Sequence, residues 1–83
     1  MTVDDKYLSS VRERLAAATG GTWKSFVEGR DHQAGSSFIM TDGEDIELSG
    51  ATIADQDFIA SAHQDIEILL NEVERLRKVL DQT

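Results

Sequence analysis

The sequence predicts an α+β fold in a single domain spanning residues 1–83: a helix, a three-stranded antiparallel meander and a long helix. Two segments with helical apolar spacing flank a middle stretch in which short apolar runs alternate with turn residues. We expect both helices to cover one face of the sheet. A domain this small buries only about 60 to 65 % of its unfolded surface, so a second copy or a partner can complete its modest core.

The first predicted element is a helix over residues 3–18. Asp4 and Asp5 stand near its start, where carboxylates stabilise the positive end of the helix dipole. The pair Gly20-Gly21 predicts its end, because glycine is the usual residue just beyond a helix. The apolar residues that recur on one face are Val3, Tyr7, Leu8, Val11, Leu15 and Ala18.

The meander is predicted from alternating residues and turn signals in the middle of the chain. Asp42-Gly43 is a strong turn dipeptide between two apolar runs. Trp23 directly follows the end of the first helix, and we expect it to be the central buried aromatic residue of the core. The three predicted strands cover residues 23–28, 36–41 and 45–49.

The C-terminal segment carries the clearest pattern in the chain, a helix from Asp55 to about Leu80. Its apolar positions alternate steps of three and four: Ile59, Ala62, Ile66, Leu69, Val73, Leu76 and Leu80. Asp65 has the character of an N-cap and could restart a second helix, but no proline forces a break. One bent helix and two consecutive helices both remain open.

The same apolar stripe fits a parallel coiled coil. With Ile66 at heptad position a, Glu72 falls at g and Arg77 at the following e, which pairs opposite charges between two helices. The predicted self-association residues are Leu69, Val73, Leu76, Leu80, Glu72 and Arg77. The alternative is packing within the chain, on the first helix and the sheet. We favour that alternative for residues 55–70 and leave both open for residues 71–80.

Charge is distributed unevenly along the chain. The formal net charge is −8, and no lysine or arginine occurs between Arg30 and Arg75, where eleven acidic residues lie. Such a surface repels nucleic acid and attracts a basic protein, although it also serves solubility. The residues predicted to contact a basic partner are Asp42, Glu44, Asp45, Glu47, Asp55 and Asp57.

No motif in the sequence predicts catalysis, a cofactor or a metal. Cysteine is absent, and neither a Gly-x-Ser-x-Gly elbow nor a phosphate-binding glycine loop occurs. A calcium loop beginning at Asp42 would end at Ile53 instead of glutamate. His63, Asp65 and Glu67 could meet at a metal only if the helix broke between them. We therefore expect a protein that is not an enzyme.

The chain also lacks the features of export and membrane insertion. Its first ten residues include Asp4 and Asp5 where a signal peptide is basic and then apolar, and no apolar run approaches the roughly 20 residues that span a bilayer. We expect a cytoplasmic protein with no membrane partner. The absence of cysteine is compatible with a reducing compartment.

Two stretches, RLAAATGGTW and ADQDFIASAHQDIEILLNEVERLR, resemble small uncharacterised proteins of actinobacteria and phages. The chain departs from that pattern at Gly20, Thr22 and Glu67, where those proteins usually have proline. The resemblance implies a helix, a small sheet and a long helix, and it implies no activity. The matching residues are Thr19, Gly21, Trp23, Phe58, Ile59, Ala60, Asp65, Leu69, Leu70, Glu74, Arg75, Leu76 and Arg77.

The function predicted from these observations is non-catalytic binding of a basic protein. Its most concrete form is an immunity protein or antitoxin that fills the cationic cleft of a nuclease-type toxin with carboxylates. The alternative is a phage or mobile-element accessory protein that forms a homodimer, or docks on a host protein, through its C-terminal helix.

Overall fold

The computed structural model describes residues 3–33 and 35–82. It has the predicted α+β class, with an N-terminal helix, a small antiparallel sheet and a long C-terminal helix. The elements are α1 (Asp5–Ala17), β1 (Lys24–Phe26), β2 (Phe38–Met40) and α2 (Ile53–Asp81).

Helix α1 begins at an aspartate cap and lies against α2. The Asp4 carboxylate accepts a hydrogen bond from the backbone N–H of Tyr7 at 2.8 Å, which satisfies a donor that the first helical turn leaves unpaired. Within the described residues α1 contacts α2 and neither strand. The expectation that both helices cover the sheet is therefore wrong, since only α2 does so.

The sheet has two strands where three were predicted. Ser25 pairs with Ile39 at the centre of the antiparallel β1–β2 ladder. The predicted third strand, residues 45–49, is reduced to one bridge, in which Ile46 and Ile39 exchange backbone hydrogen bonds of 2.8 and 2.9 Å. Two acidic residues, Asp45 and Glu47, flank Ile46 and stay exposed. Only Ile46 and Leu48 of this segment are partly buried, so little apolar burial supports a longer strand.

Helix α2 is one unbroken helix of 29 residues. It starts at a capping box, in which the Thr52 hydroxyl accepts from the Asp55 N–H at 3.0 Å and the Asp55 carboxylate accepts from the Thr52 N–H at 3.1 Å. The start therefore lies two residues before the predicted Asp55. Asp65 lies inside the helix and caps nothing, because without proline the backbone hydrogen bonds continue through it.

The core is small and is centred on β2. Ile39 is fully buried, at 0 % exposure. Trp23 is only half-buried, contrary to the expectation of a central buried ring. It stacks on His63, with ring centroids 4.5 Å apart, and its indole N–H donates to the Thr19 carbonyl at 2.9 Å. The buried apolar residues are Leu8, Val27, Ile39, Ala60 and Leu70.

The chain is elongated, measuring 55 × 22 × 21 Å. Its radius of gyration is 16.2 Å, whereas a compact domain of this length has about 12 Å. The long α2 accounts for this shape, because it extends well past the small sheet that it covers. Neither described helix is both long enough and apolar enough to cross a membrane.

Candidate protein interaction surface

The face of α2 that packs on the sheet is anchored by a buried glutamine. Gln56 is 5 % exposed. Its side-chain amide nitrogen donates to the Ser25 hydroxyl at 2.8 Å and to the carbonyls of Phe26 and Phe38, each at 3.2 Å. These contacts tie α2 to both strands. A buried polar group is stable here because its donors are satisfied.

A second glutamine, two helical turns further along, holds the start of β1. The Trp23 backbone N–H donates to the Gln64 side-chain oxygen at 2.9 Å, and the Gln64 side-chain nitrogen donates to the Trp23 carbonyl at 2.8 Å. The amide therefore pairs with Trp23 much as a neighbouring strand would. Gln56, Ala60 and Gln64 are four residues apart and share one face of the helix.

The rest of the inward face of α2 lies along α1. Leu70 is 5 % exposed. The Arg12 guanidinium donates to the Glu74 carboxylate at 3.1 Å. Near the end of α2, Arg77 donates to the Asp5 carboxylate at 2.6 Å and also to the Val3 carbonyl. Because residues early in α1 meet residues late in α2, the two helices run antiparallel.

An apolar stripe lies on the other side of α2 and is largely exposed. At 100° per residue, every position from 58 to 76 on this side is apolar. Phe58 is 73 % exposed and Leu69 is 62 % exposed. The expectation that residues 55–70 of this stripe pack on both α1 and the sheet holds only in part: Ile59 and Ile66 border α1, but the glutamine face covers the sheet. The apolar stripe comprises Phe58, Ile59, Ala62, Ile66, Leu69, Val73 and Leu76.

The apolar stripe borders a groove between the two helices. Ile59 and Ile66 form its wall on α2, and Tyr7, Val11 and Leu15 form its wall on α1. Its volume is about 420 Å³. The stripe and the groove together form one open apolar surface with helical ridges, which is typical of a protein contact site.

The residues predicted for self-association are mostly accessible. Leu69, Leu76 and Leu80 are exposed and Val73 is half-buried. The charge pair predicted between two helices, Glu72 and Arg77, is not available in that form. Glu72 forms an ion pair with Arg75 one turn away, and Arg77 forms one with Asp5. Glu72 and Arg77 thus already have partners in their own chain.

Two of the six predicted acidic contact residues have structural roles, and the carboxylate of a third lies against the backbone. Asp55 belongs to the capping box of α2. Asp57 accepts two hydrogen bonds from Arg30, at 2.8 and 3.0 Å, and this contact, aided by the Ser25 hydroxyl, lowers the pKa of Asp57 from 3.8 to about 2. The Asp42 carboxylate lies over Gly21, whose φ is +92° and where a Cβ would come within 2.3 Å of it. Glycine at position 21 is therefore required for this contact as well as for its backbone conformation.

The other three, Glu44, Asp45 and Glu47, form an exposed acidic trio. Glu47 accepts a hydrogen bond from the Ser36 hydroxyl at 2.9 Å. None of the three takes part in an ion pair among residues 3–33 and 35–82. Their carboxylates face solvent and remain available to an external cation.

Metal-binding groups and the lining of the groove bear on what this surface can hold. In the part of the chain that the structure describes, no group of three or more His, Asp or Glu side chains could hold a metal ion. The groove beside the apolar stripe is lined mainly by apolar side chains, with Arg14 and His63 at its border. The arrangement therefore offers contact area and charge.

Sequence reasoning missed the inward face of α2. Gln56, Ala60 and Gln64 lie on the side of α2 away from the apolar stripe, and two of them are polar. The signal that could have found them is their spacing of four, together with the amide capacity to satisfy strand-edge groups. Comparisons with protein-family models, curated proteins and solved structures gave no match to this chain.

Proposed function

We propose that this chain is a non-catalytic binding protein that acts through contact with other proteins. The observation that carries the proposal is the apolar stripe of α2. Monomeric proteins rarely expose a contiguous apolar surface of several hundred Å², and such surfaces usually mark binding sites. The sheet packs on the opposite face of α2 and α1 lies along one edge of the stripe, so the rest of the stripe is available to an external partner.

Within this class, neutralisation of a basic toxin is the role that the acidic trio favours. Glu44, Asp45 and Glu47 are adjacent in sequence and lie outside the ion pairs of the described chain. Carboxylates held this way can enter a phosphate-binding cleft and exclude its substrate, as in an immunity protein or antitoxin. The proposal assigns this contact to the acidic trio, because the Asp42 carboxylate lies against Gly21 and because Asp55 and Asp57 have structural roles. A cytoplasmic setting is part of the proposal.

The second candidate is a phage or mobile-element accessory protein that docks on a host protein through α2. The exposure of Phe58, Leu69 and Leu76 favours it, because these large apolar side chains of the stripe are accessible to an external protein. Large apolar and aromatic anchors of this kind dominate binding energy at protein interfaces.

Affinity capture from the native host, followed by intact-complex mass measurement, tests both candidates. The acidic variant is Glu44→Gln, Asp45→Asn and Glu47→Gln; the matched control is Glu13→Gln, Glu67→Gln and Asp81→Asn, which removes the same charge elsewhere. Toxin neutralisation predicts that the acidic variant alone loses the partner, with a ten-fold or greater loss of association rate at low salt. The captured partner should be basic and lose nuclease activity on binding.

Docking through α2 predicts the opposite pattern. Capture should then survive in the acidic variant and fail when Leu69 and Leu76 are both replaced by glutamate. If the unmodified chain captures no host protein, or if all variants capture equally well, neither surface carries a partner and the proposed function is wrong.

A further inference from the structure

We propose that the apolar stripe is covered by the stripe of a second copy of this chain, with the two α2 helices parallel about a two-fold axis. This inference rests on the proposed function, in which the stripe is a protein contact surface, and names its occupant. Three observations support a second copy: the continuity of the stripe, the area it offers and the placement of charges on either side of it.

Continuity makes the surface self-complementary. From residue 58 to residue 76 the stripe runs ~27 Å along α2 with no charged side chain on it. From Ile59 onward its positions alternate steps of three and four, the spacing that lets two identical helices interlock knobs into holes. In a two-fold pair, Leu69 and Leu76 at heptad position d meet their own counterparts, so no other sequence is needed to fill the seam.

The exposed area is sufficient for a stable dimer. From the fractional exposures of Tyr7 and the large stripe residues, on the order of 650 Å² is accessible on each copy, so a pair can bury up to roughly 1,300 Å², at the lower end of the 1,200–2,000 Å² of standard interfaces. The five buried apolar residues of the described chain form a very small core. A dimer seam would extend it along the whole of α2.

Charges beside the stripe favour the parallel orientation. Lys6 and Arg14 on α1 have no ion-pair partner among the described residues. Arg14 borders the groove that Ile66 also lines, and Asp65 lies on the far flank of the stripe, away from α1. A two-fold axis along α2 lays α1 of one copy over that far flank of the other, so the cations of α1 face the flank that carries the second copy's Asp65. An antiparallel pair places the two α1 helices together and leaves Asp65 without a cation.

Two neighbouring residues provide a matched test of the interface. Leu69 is on the stripe and Ile68 is off it, yet they are 62 % and 63 % exposed. Sedimentation equilibrium should give twice the 9.2 kDa chain mass for the unmodified protein. Leu69→Glu should raise the dimer dissociation constant at least about 100-fold, because each dimer then buries two unpaired charges. Ile68→Glu should change it less than about three-fold.

Both variants should keep the helical circular dichroism of the parent, since both side chains lie outside the intramolecular core. A monomeric parent at millimolar concentration overturns the inference, and so does equal weakening by the two variants. A parent that is monomeric yet loses a captured host partner on Leu69→Glu replacement keeps the proposed function and rejects only the second copy as occupant.

Orientation is tested by cross-linking, because the chain contains no cysteine. In the parallel pair, Leu76→Cys should form an intermolecular disulfide on mild oxidation. Val79→Cys, equally exposed but off the stripe, should not. A dimer in which Leu76→Cys fails to cross-link, or in which both variants cross-link alike, overturns the parallel arrangement.

Discussion

The Gln64 side-chain amide satisfies both backbone groups of Trp23, accepting from its N–H at 2.9 Å and donating to its carbonyl at 2.8 Å. A helical side chain thereby occupies the position of a third strand at the start of β1. The same residue receives a contact from His63, whose ring stacks on Trp23. The Gln64–Trp23 contact holds the chain that leaves α1 at the start of β1. It also holds the Gln64 side of α2 toward the sheet.

Replacing Gln64 by methionine should lower the free energy of unfolding by about 1 to 2 kcal/mol, because two partly buried backbone groups lose their partner while the side-chain shape is kept. Urea unfolding measures the change. Ser61→Met, on the outer side of the same helix, is the control and should stay within about 0.5 kcal/mol. Equal effects of the two substitutions would show that the amide contact contributes nothing.

Truncating Ile39 should lower the free energy of unfolding more than truncating Trp23 does. Ile39→Ala should cost about 3 to 5 kcal/mol and Ile39→Val about 1 kcal/mol, since this side chain is fully buried. Trp23→Ala should cost only about 2 kcal/mol, because part of the indole already faces water. A larger loss for Trp23→Ala in denaturant unfolding would place the indole at the core centre, against the observed packing.

The Arg30–Asp57 pair should make stability fall in acid. Because the pKa of Asp57 is lowered to about 2 in the folded chain, its contribution is full well above pH 3.8 and is lost as the pH falls from 3.8 through about 2. Asp57→Asn should reduce the dependence of the melting temperature on pH in this window. Arg30→Gln should flatten it at least as much, since Arg30 also lowers the pKa of Asp31.

A melting temperature that falls equally steeply in all three proteins would mean that other carboxyl groups cause the acid sensitivity. The comparison is made at fixed protein concentration, because association also shifts apparent stability.

The acidic trio and the cap of α2 should differ in their effect on folding. Replacing Glu44, Asp45 and Glu47 by their amides should leave the melting temperature unchanged or slightly higher, because repulsion falls and no ion pair is lost. Thr52→Ala should lower stability by about 1 kcal/mol through loss of the α2 cap. Thermal unfolding at low salt measures both effects. A lower melting temperature of the acidic-trio variant would show that those carboxylates stabilise the fold.

The sequence predicted the elements better than their contacts. The periodicity of α2 located the helix and its apolar stripe, because side-chain spacing directly reports helical geometry. It did not reveal which side packs inward, since Gln56 and Gln64 anchor the sheet through hydrogen bonds that hydrophobic patterning does not register. The prediction of a third strand was wrong for a related reason. Ile46 forms a single bridge with Ile39, while its acidic neighbours Asp45 and Glu47 stay exposed to water.

The charge distribution of the sequence likewise located the acidic surface, but it did not show which carboxylates form ion pairs or cap helices. Asp57 is paired with Arg30, which lies 27 residues earlier in the chain, and Asp55 caps a helix. Such roles depend on tertiary placement or on the helix start. The acidic trio was identifiable because its residues surround a turn, where solvent exposure is the default.

The central claim is that α2 turns its glutamine face inward and its apolar stripe outward, toward a second copy. Leu69 and Leu70 test it most directly, since these neighbours are 62 % and 5 % exposed. Their methyl NMR signals can be followed with a soluble paramagnetic relaxation agent over a protein dilution series. The account predicts that Leu70 is protected at every concentration, whereas Leu69 is protected in concentrated protein and broadened on dilution. Protection of Leu69 at the lowest concentration, with Leu70 broadened, would contradict it by placing the stripe inside the monomer.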